Sequence, residues 1–154
     1  MRSSFFTRGG WWVLGQSVLL VALLALGPWR SGDWSSRTGF WLGVMLLAAG
    51  GVFGIAGTRA LGRNRTPYPR PLVGGKLVQQ GIYAFVRHPL YASLIYLGAG
   101  WALVWASSAA AITTIVLTVL LDRKARLEER WLVEEFADYT AYARRVRRLV
   151  PGLY

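Results

Sequence analysis

The chain has 154 residues, of which 54% are apolar, carries a net charge of +11 and contains eight tryptophans and no cysteine. Without cysteine, disulfides, thiolate metal ligands and cysteine nucleophiles are excluded together, and apolar residues gathered into long runs place the chain with membrane proteins rather than soluble domains. The basic excess lies in two segments, Thr58 to His88 and Asp122 to Arg148, each beside an apolar run; this is the pattern of cytoplasmic loops rather than of a nucleic-acid-binding surface, with contact to anionic lipid or substrate as a second use.

Trp11 to Gly27 reads as a first span, ended by Pro28 and carrying Trp11-Trp12 at the interface. Arg2, Arg8 and the small-x-small triplet Ala25-Leu26-Gly27 imitate a signal peptide. The run is long for a signal core, however, and Pro28 would follow the cut, so an anchor is expected. Gly39 to Gly57 reads as a second span. Gly50, Gly54 and Gly57 recur at about one-turn spacing, which suits a close helix–helix contact in lipid and offers a route to a homodimer. No strand precedes these glycines, so a nucleotide-binding loop does not fit. From Thr58 to Gln80 the chain is polar, and Pro67, Pro69 and Pro71 forbid a continuous helix. An ordered cytoplasmic loop is expected there.

Leu90 to Ala106 and Ala109 to Leu121 are two further apolar runs joined at Ser107-Ser108. At about 1.5 Å per residue the last covers only about 20 Å of a hydrocarbon core about 30 Å thick. The pair therefore reads as a helical hairpin whose second arm continues beyond the lipid. Between Asp122 and Val150, Leu132, Phe136, Tyr139, Tyr142 or Ala143, Val146 and Leu149 recur every three or four residues, predicting one continuous amphipathic helix that ends at Pro151. Six Lys or Arg lie in Thr58 to His88 and eight in Asp122 to Arg148, against two at Arg30 and Arg37. Four spans then put both termini in the cytoplasm. The expected fold is all-α: a polytopic membrane protein with about four transmembrane helices, a C-terminal helical hairpin and a cytoplasmic amphipathic helix. It forms a single membrane domain over 1–154, with two spans in 1–57, a loop in 58–89, the hairpin in 90–121 and the C-terminal helix in 122–154.

A hairpin returns to the side from which it started. Tyr83, Arg87, His88 and Tyr91 at its beginning can therefore meet Glu128, Glu129, Tyr139 and Tyr142 beyond its end. Taken singly, His88 reads as a residue at a helix start, with Pro89 in the favoured first turn. It has no second histidine or cysteine with which to hold a metal. Adjacent glutamates diverge by about 100° on a helix, so at most one of Glu128 and Glu129 faces a given pocket. Ser107-Ser108 has no histidine on its side of the membrane, which argues against a serine hydrolase.

Taken together the residues say more. Gly81-Ile82-Tyr83, Val86-Arg87-His88-Pro89-Leu90-Tyr91, an apolar hairpin, Glu128-Glu129-Arg130-Trp131-Leu132, Phe136, Tyr139, Tyr142, Arg145-Val146 and Pro151 follow in order. This set resembles the integral-membrane methyltransferases related to isoprenylcysteine carboxyl methyltransferase and phospholipid methyltransferases. Gly62 to Pro67 is also similar to bacterial members, and the likeness runs from about Leu61 to Tyr154. The chain departs in having Ala137 where many relatives carry glycine, and in placing Tyr139 three rather than four positions after Phe136. It is shorter at the N-terminus than the eukaryotic enzymes, so their prenyl-binding arrangement is not carried over.

The resemblance implies S-adenosyl-L-methionine as cofactor, bound at the cytoplasmic face of a bacterial inner membrane. It implies a cofactor site from Gly81, Tyr83, Arg87, His88, Pro89, Tyr91, Glu128, Glu129, Tyr139 and Tyr142, with no metal. Carboxylates suit the cofactor's ammonium or ribose hydroxyls, Arg87 and His88 its carboxylate or adenine, and tyrosine faces its sulfonium. His88, Glu129 and Arg145 are the implied catalytic groups, and Arg59, Asn64 and Arg145 the implied acceptor contacts. Methyl transfer needs alignment and exclusion of water more than a general base. The acceptor, lipophilic or small, is a carboxylate, an amine or a thiol, reaching the site from the lipid bilayer. The competing reading is a small membrane scaffold or transporter subunit. A transporter places ionisable groups near mid-span, and these spans carry almost none.

Overall fold

The computed structural model describes residues 9–72, 74–152 and 154. Apolar runs long enough to form stable helices become helices, in the order α1 (Gly10–Trp29), α2 (Arg37–Leu61), α3 (Pro89–Val104), α4 (Ser108–Glu135) and α5 (Tyr139–Arg145). The structure is all-α; its one strand-like feature among the described residues is an isolated bridge between Val86 and Arg147. Helices α1 and α2 are long and apolar enough to cross a membrane. Helix α3 has 16 residues, about 24 Å at ~1.5 Å per residue.

Helix α1 passes the stop expected at Pro28 and ends at Trp29. A proline in the last turn removes one helical bond, while Arg30 N still reaches Leu26 O at 3.0 Å. Helix α2 starts on a Ser36 cap whose hydroxyl accepts from Gly39 N at 2.9 Å, and stops at Gly62, which adopts a positive φ of 51°.

The glycines of α2 meet α3 rather than a second copy of the chain. A Cβ on Gly50 would lie 2.7 Å from Leu97 Cγ, and one on Gly100 would lie 2.7 Å from the carbonyl oxygen of Gly43. Ser93 Oγ donates to Gly50 O at 2.6 Å across the same seam. The glycine face proposed as a homodimer route is thus occupied within the protomer. At the end of the bundle remote from Pro89, two connections are bonded together. Gly32 N donates to Trp105 O at 3.0 Å and Asp33 N to Ala106 O at 2.9 Å, and Ser108 N donates to Asp33 Oδ2 at 2.6 Å. Ser107 Oγ donates to Leu26 O at 3.1 Å.

The C-terminal segment corrects the sequence expectation. Instead of one helix from Asp122 to Val150, α4 ends at Glu135 and Phe136 is extended, with φ −124° and ψ 110°. After α5 the chain extends again and pairs with the segment leading into α3: Arg87 N donates to Arg147 O at 2.8 Å and His88 N to Arg148 O at 3.0 Å. The break lets Tyr139 and Tyr142 turn inward and become buried. The carbonyls left open near the end of α5 find a donor in the Arg87 guanidinium, which bonds Ala143 O and Val146 O.

Candidate functional site

Two short segments set the geometry. Gly81 opens a 3₁₀ turn with φ +62°, a conformation that favours glycine, and the turn buries Tyr83. Arg87 and His88 then lie in the paired segment, and Pro89 begins α3, where its missing N–H is no loss. Opposite them, α4 presents Glu128 and Glu129.

Glu129 is the hub of an ionic network. Its carboxylate accepts from Arg87 Nε at 2.9 Å, and from Arg148 Nε at 3.0 Å and Nη2 at 2.8 Å. His88 Nε2 lies 3.2 Å from the same Oε1. Burial acts to raise the Glu129 pKa, but hydrogen bonds from His88 and Arg148 and the charges of His88 and Arg87 outweigh it and hold the carboxyl at about 2. The bonds to Glu129 in turn push the Arg148 pKa up. Arg148 also reaches Asp122 Oδ1 at 3.3 Å and Tyr154 Oη at 3.0 Å, which joins the C-terminal segment to α4.

Glu128 points elsewhere, as the divergence of neighbouring helical residues requires. Its Oε2 accepts from Tyr91 Oη at 2.6 Å and lies 3.8 Å from His88 Nδ1. The rings of His88 and Tyr91 stack 5.2 Å apart and nearly parallel. Tyr142 Oη donates to Tyr83 O at 2.6 Å. Tyr139 Oη is buried with no hydrogen-bond partner among the described residues. Burial raises the pKa of Tyr83 and Tyr139, and that of Tyr142 to about 12. All three phenols therefore stay neutral near pH 7, and Tyr142 acts as a donor.

These groups enclose one cavity. Tyr83, Arg87, His88, Tyr91, Glu128, Tyr139 and Tyr142 line it together with Asn64 from the proline-rich loop. Leu61, Leu90, Leu132 and Phe136 supply an apolar wall. The cavity is therefore bounded by charge on one side and by the apolar bundle on the other. The remaining sequence-predicted residues are placed differently. Glu129 lies behind the cavity, holding its neighbours. Gly81 and Pro89 shape the backbone. Arg59 and Arg145 are exposed, and Arg145 Nη2 reaches Gln79 Oε1 at 3.5 Å. Sequence reasoning did not single out Arg148, Asp122, Lys124 or the loop residues Lys76 to Val78 that complete the wall. The basic stretch 144–148 marks the region of Arg148 but not which arginine turns inward.

Comparison with known proteins matches this chain to a family. A relative, the cobalt-zinc-cadmium resistance protein CzcN of Cupriavidus metallidurans, is 30% identical over 156 residues, covering 97% of this chain and 67% of the relative. Residues 38–139 match the family model described as phospholipid methyltransferase. That span takes in the glycine seam, the Arg87-His88-Pro89 segment, both glutamates and the first of the two inward-facing tyrosines. The chain belongs to the phospholipid methyltransferase family.

Proposed function

We propose that this protein is an S-adenosylmethionine-dependent membrane methyltransferase acting on a lipophilic or small acceptor at the cytoplasmic face. In this reading four spans leave both termini in the cytoplasm of a bacterial cell, and the cavity opens at the inner-membrane surface. The observation that carries the proposal is the convergence of Glu128, His88 and the tyrosines on one cavity with an apolar wall. The residues present fit the cofactor. Tyr139 Oη is a buried donor without a partner among the described residues, and Glu128 is a carboxylate on the wall that accepts from the Tyr91 phenol.

S-adenosylmethionine, when bound, supplies a methyl group on a sulfonium whose positive charge is lost as the methyl leaves. Glu128 provides the negative charge that suits an ammonium or a pair of ribose hydroxyls. Neutral tyrosine rings present negative faces to a sulfonium. Glu129 acts at one remove: by fixing Arg87 and His88 it sets the shape of the polar wall. Leu61, Leu90 and Leu132 exclude water and admit an apolar acceptor. A carboxylate acceptor arrives ionised, and Arg145 or Arg59 at the exposed rim can orient it. An amine or thiol acceptor must lose a proton, and His88 in its neutral form or Glu128, both on the cavity wall, can take it.

Calorimetry in detergent tests the cofactor, and incubation with methyl-labelled S-adenosylmethionine and native lipid extract tests the transfer. The expected results are binding that weakens in Glu128→Gln and His88→Ala, and label on an extractable product. Binding that ignores both substitutions would overturn the proposal. A non-catalytic scaffold or transporter subunit is the second reading, favoured by the relative that is named a metal-resistance protein. It predicts a folded protein that binds no cofactor and labels no extract.

A further inference from the structure

Lys124 has the largest side chain among those fully buried in the described residues, with 2% of its surface exposed. It belongs neither to the cavity wall nor to the Glu129 network. Its Nζ donates to Gln16 Oε1 in α1 at 2.8 Å and to the carbonyl oxygen of Pro67 at 2.9 Å. The same ammonium lies 5.1 Å from the centre of the Tyr91 ring, within reach of a cation–π attraction. A buried ammonium is unfavourable unless hydrogen bonds compensate it, and methionine would fill the same volume without that penalty. Burial draws the Lys124 pKa down to about 8 against the opposing pull of Glu128. A charge retained in so dry a place points to a use.

Two of the three contacts of Lys124 lead towards the cavity. Pro67 stands in the loop whose Asn64, Thr66 and Leu72 form the outer wall. Alternate prolines leave that loop short of backbone donors. Arg65 bonds Gly62, Tyr68 N bonds Thr66 and Lys76 N bonds Asn64, all within the loop, whereas the Lys124 bond carries it onto the helix bundle. Tyr91, the second contact, stacks on His88 and donates to Glu128. Gln16, the third, ties the ammonium to α1 so that it cannot swing out to water.

We propose that Lys124 is a positioning residue that fastens the proline-rich loop and the Tyr91 ring to α4, and thereby fixes the distance between the two walls of the cavity. The proposal deepens the methyltransferase reading, but only its binding arm depends on that reading.

Hydrogen exchange of the full chain in detergent, read by mass spectrometry, tests the fastening directly. In Lys124→Met, amides in residues 62–80 exchange about tenfold faster, the factor expected for losing one charged hydrogen bond. Exchange in the interiors of α1 and α2 stays as in the parent protein. Lys124→Arg, which keeps charge and donors, restores most of the loop protection. Affinity for S-adenosylmethionine falls at least about fivefold in the methionine variant by the same reasoning. If the methionine variant cannot be recovered folded, Lys124→Gln, polar but too short to span both partners, carries the same expectations. Loop exchange unchanged in a folded variant overturns the proposal, and so does exchange that rises equally in all helices. Failure of the parent protein to bind the cofactor would sink the methyltransferase reading and leave the exchange comparison standing.

Discussion

Replacing Glu129 with glutamine removes one negative charge from beneath three cationic or potentially cationic groups. The side chains involved are well buried: Glu129 is 14% exposed, Arg87 10% and Arg148 17%, so solvent screens them little. The carboxyl is held at about 2 from an ordinary 4.5. At about 1.36 kcal/mol per unit this corresponds to roughly 3 kcal/mol favouring the ionised form, in line with the ~3–5 kcal/mol lost when one partner of a buried pair is removed. Thermal unfolding in detergent at pH 7 should show Tm lower by about 6–12 °C, taking ~2–4 °C per kcal/mol for a chain of this size. The sign with pH follows from the lowered pKa. The stabilisation is complete above the unfolded value near 4.5 and is lost as pH falls through about 2. Parent and variant curves should therefore converge as the pH is lowered from about 5 towards 2. Equal Tm at pH 7, or a difference that does not shrink in acid, would refute the assignment of Glu129 as the hub.

Tyr139→Phe removes a buried hydroxyl that has no partner among the described residues, so stability should hold or rise by about 1 kcal/mol, while cofactor affinity measured by calorimetry falls about fivefold. Gly100→Ala drives a methyl to within 2.7 Å of Gly43 O and 2.8 Å of Leu47 N, and thermal unfolding should show a loss of about 1–3 kcal/mol. Gly51→Ala, in the same seam's helix but with nothing within 4 Å of the new methyl, should gain up to about 1 kcal/mol from helix propensity. If the two alanine variants unfold alike, the α2–α3 seam is not packed as described.

Much of the fold was legible because hydropathy and proline placement report it directly. The four apolar runs became α1, α2, α3 and the first half of α4, and the loop stayed non-helical where three prolines alternate. The meeting of His88 with Glu128 and Glu129 was legible too, since a hairpin must bring its ends together. The end of α4 was not. Leu132, Phe136, Tyr139 and Tyr142 keep a helical period across the break, because inward-facing residues on two successive helices preserve the same spacing. The end of α5 was hidden as well, because its open carbonyls at Ala143 and Val146 are taken by Arg87, 56 residues before Ala143 in the chain. Lys124 was hidden for a similar reason. In sequence it sits among Arg123, Arg126 and Arg130 and looks like one more solvated cation, and only its partners Gln16 and Pro67, distant along the chain, mark it as buried. The period also could not say which helix would fill the glycine face of α2.

The bonded corner formed by Asp33, Ser107 and their neighbours has a mechanical consequence. Hydrogen bonds from Gly32, Asp33, Ser107 and Ser108 knot both connections there into one closed end, so rocking the helices apart on that side means rupturing several contacts at once. The opposite end is held by the pairing of Arg87 and His88 with Arg147 and Arg148, by side chains and by a proline-rich strap with few backbone donors. Opening of the bundle is therefore expected first at the end that carries the cavity, as a purse with a sewn base parts at its mouth.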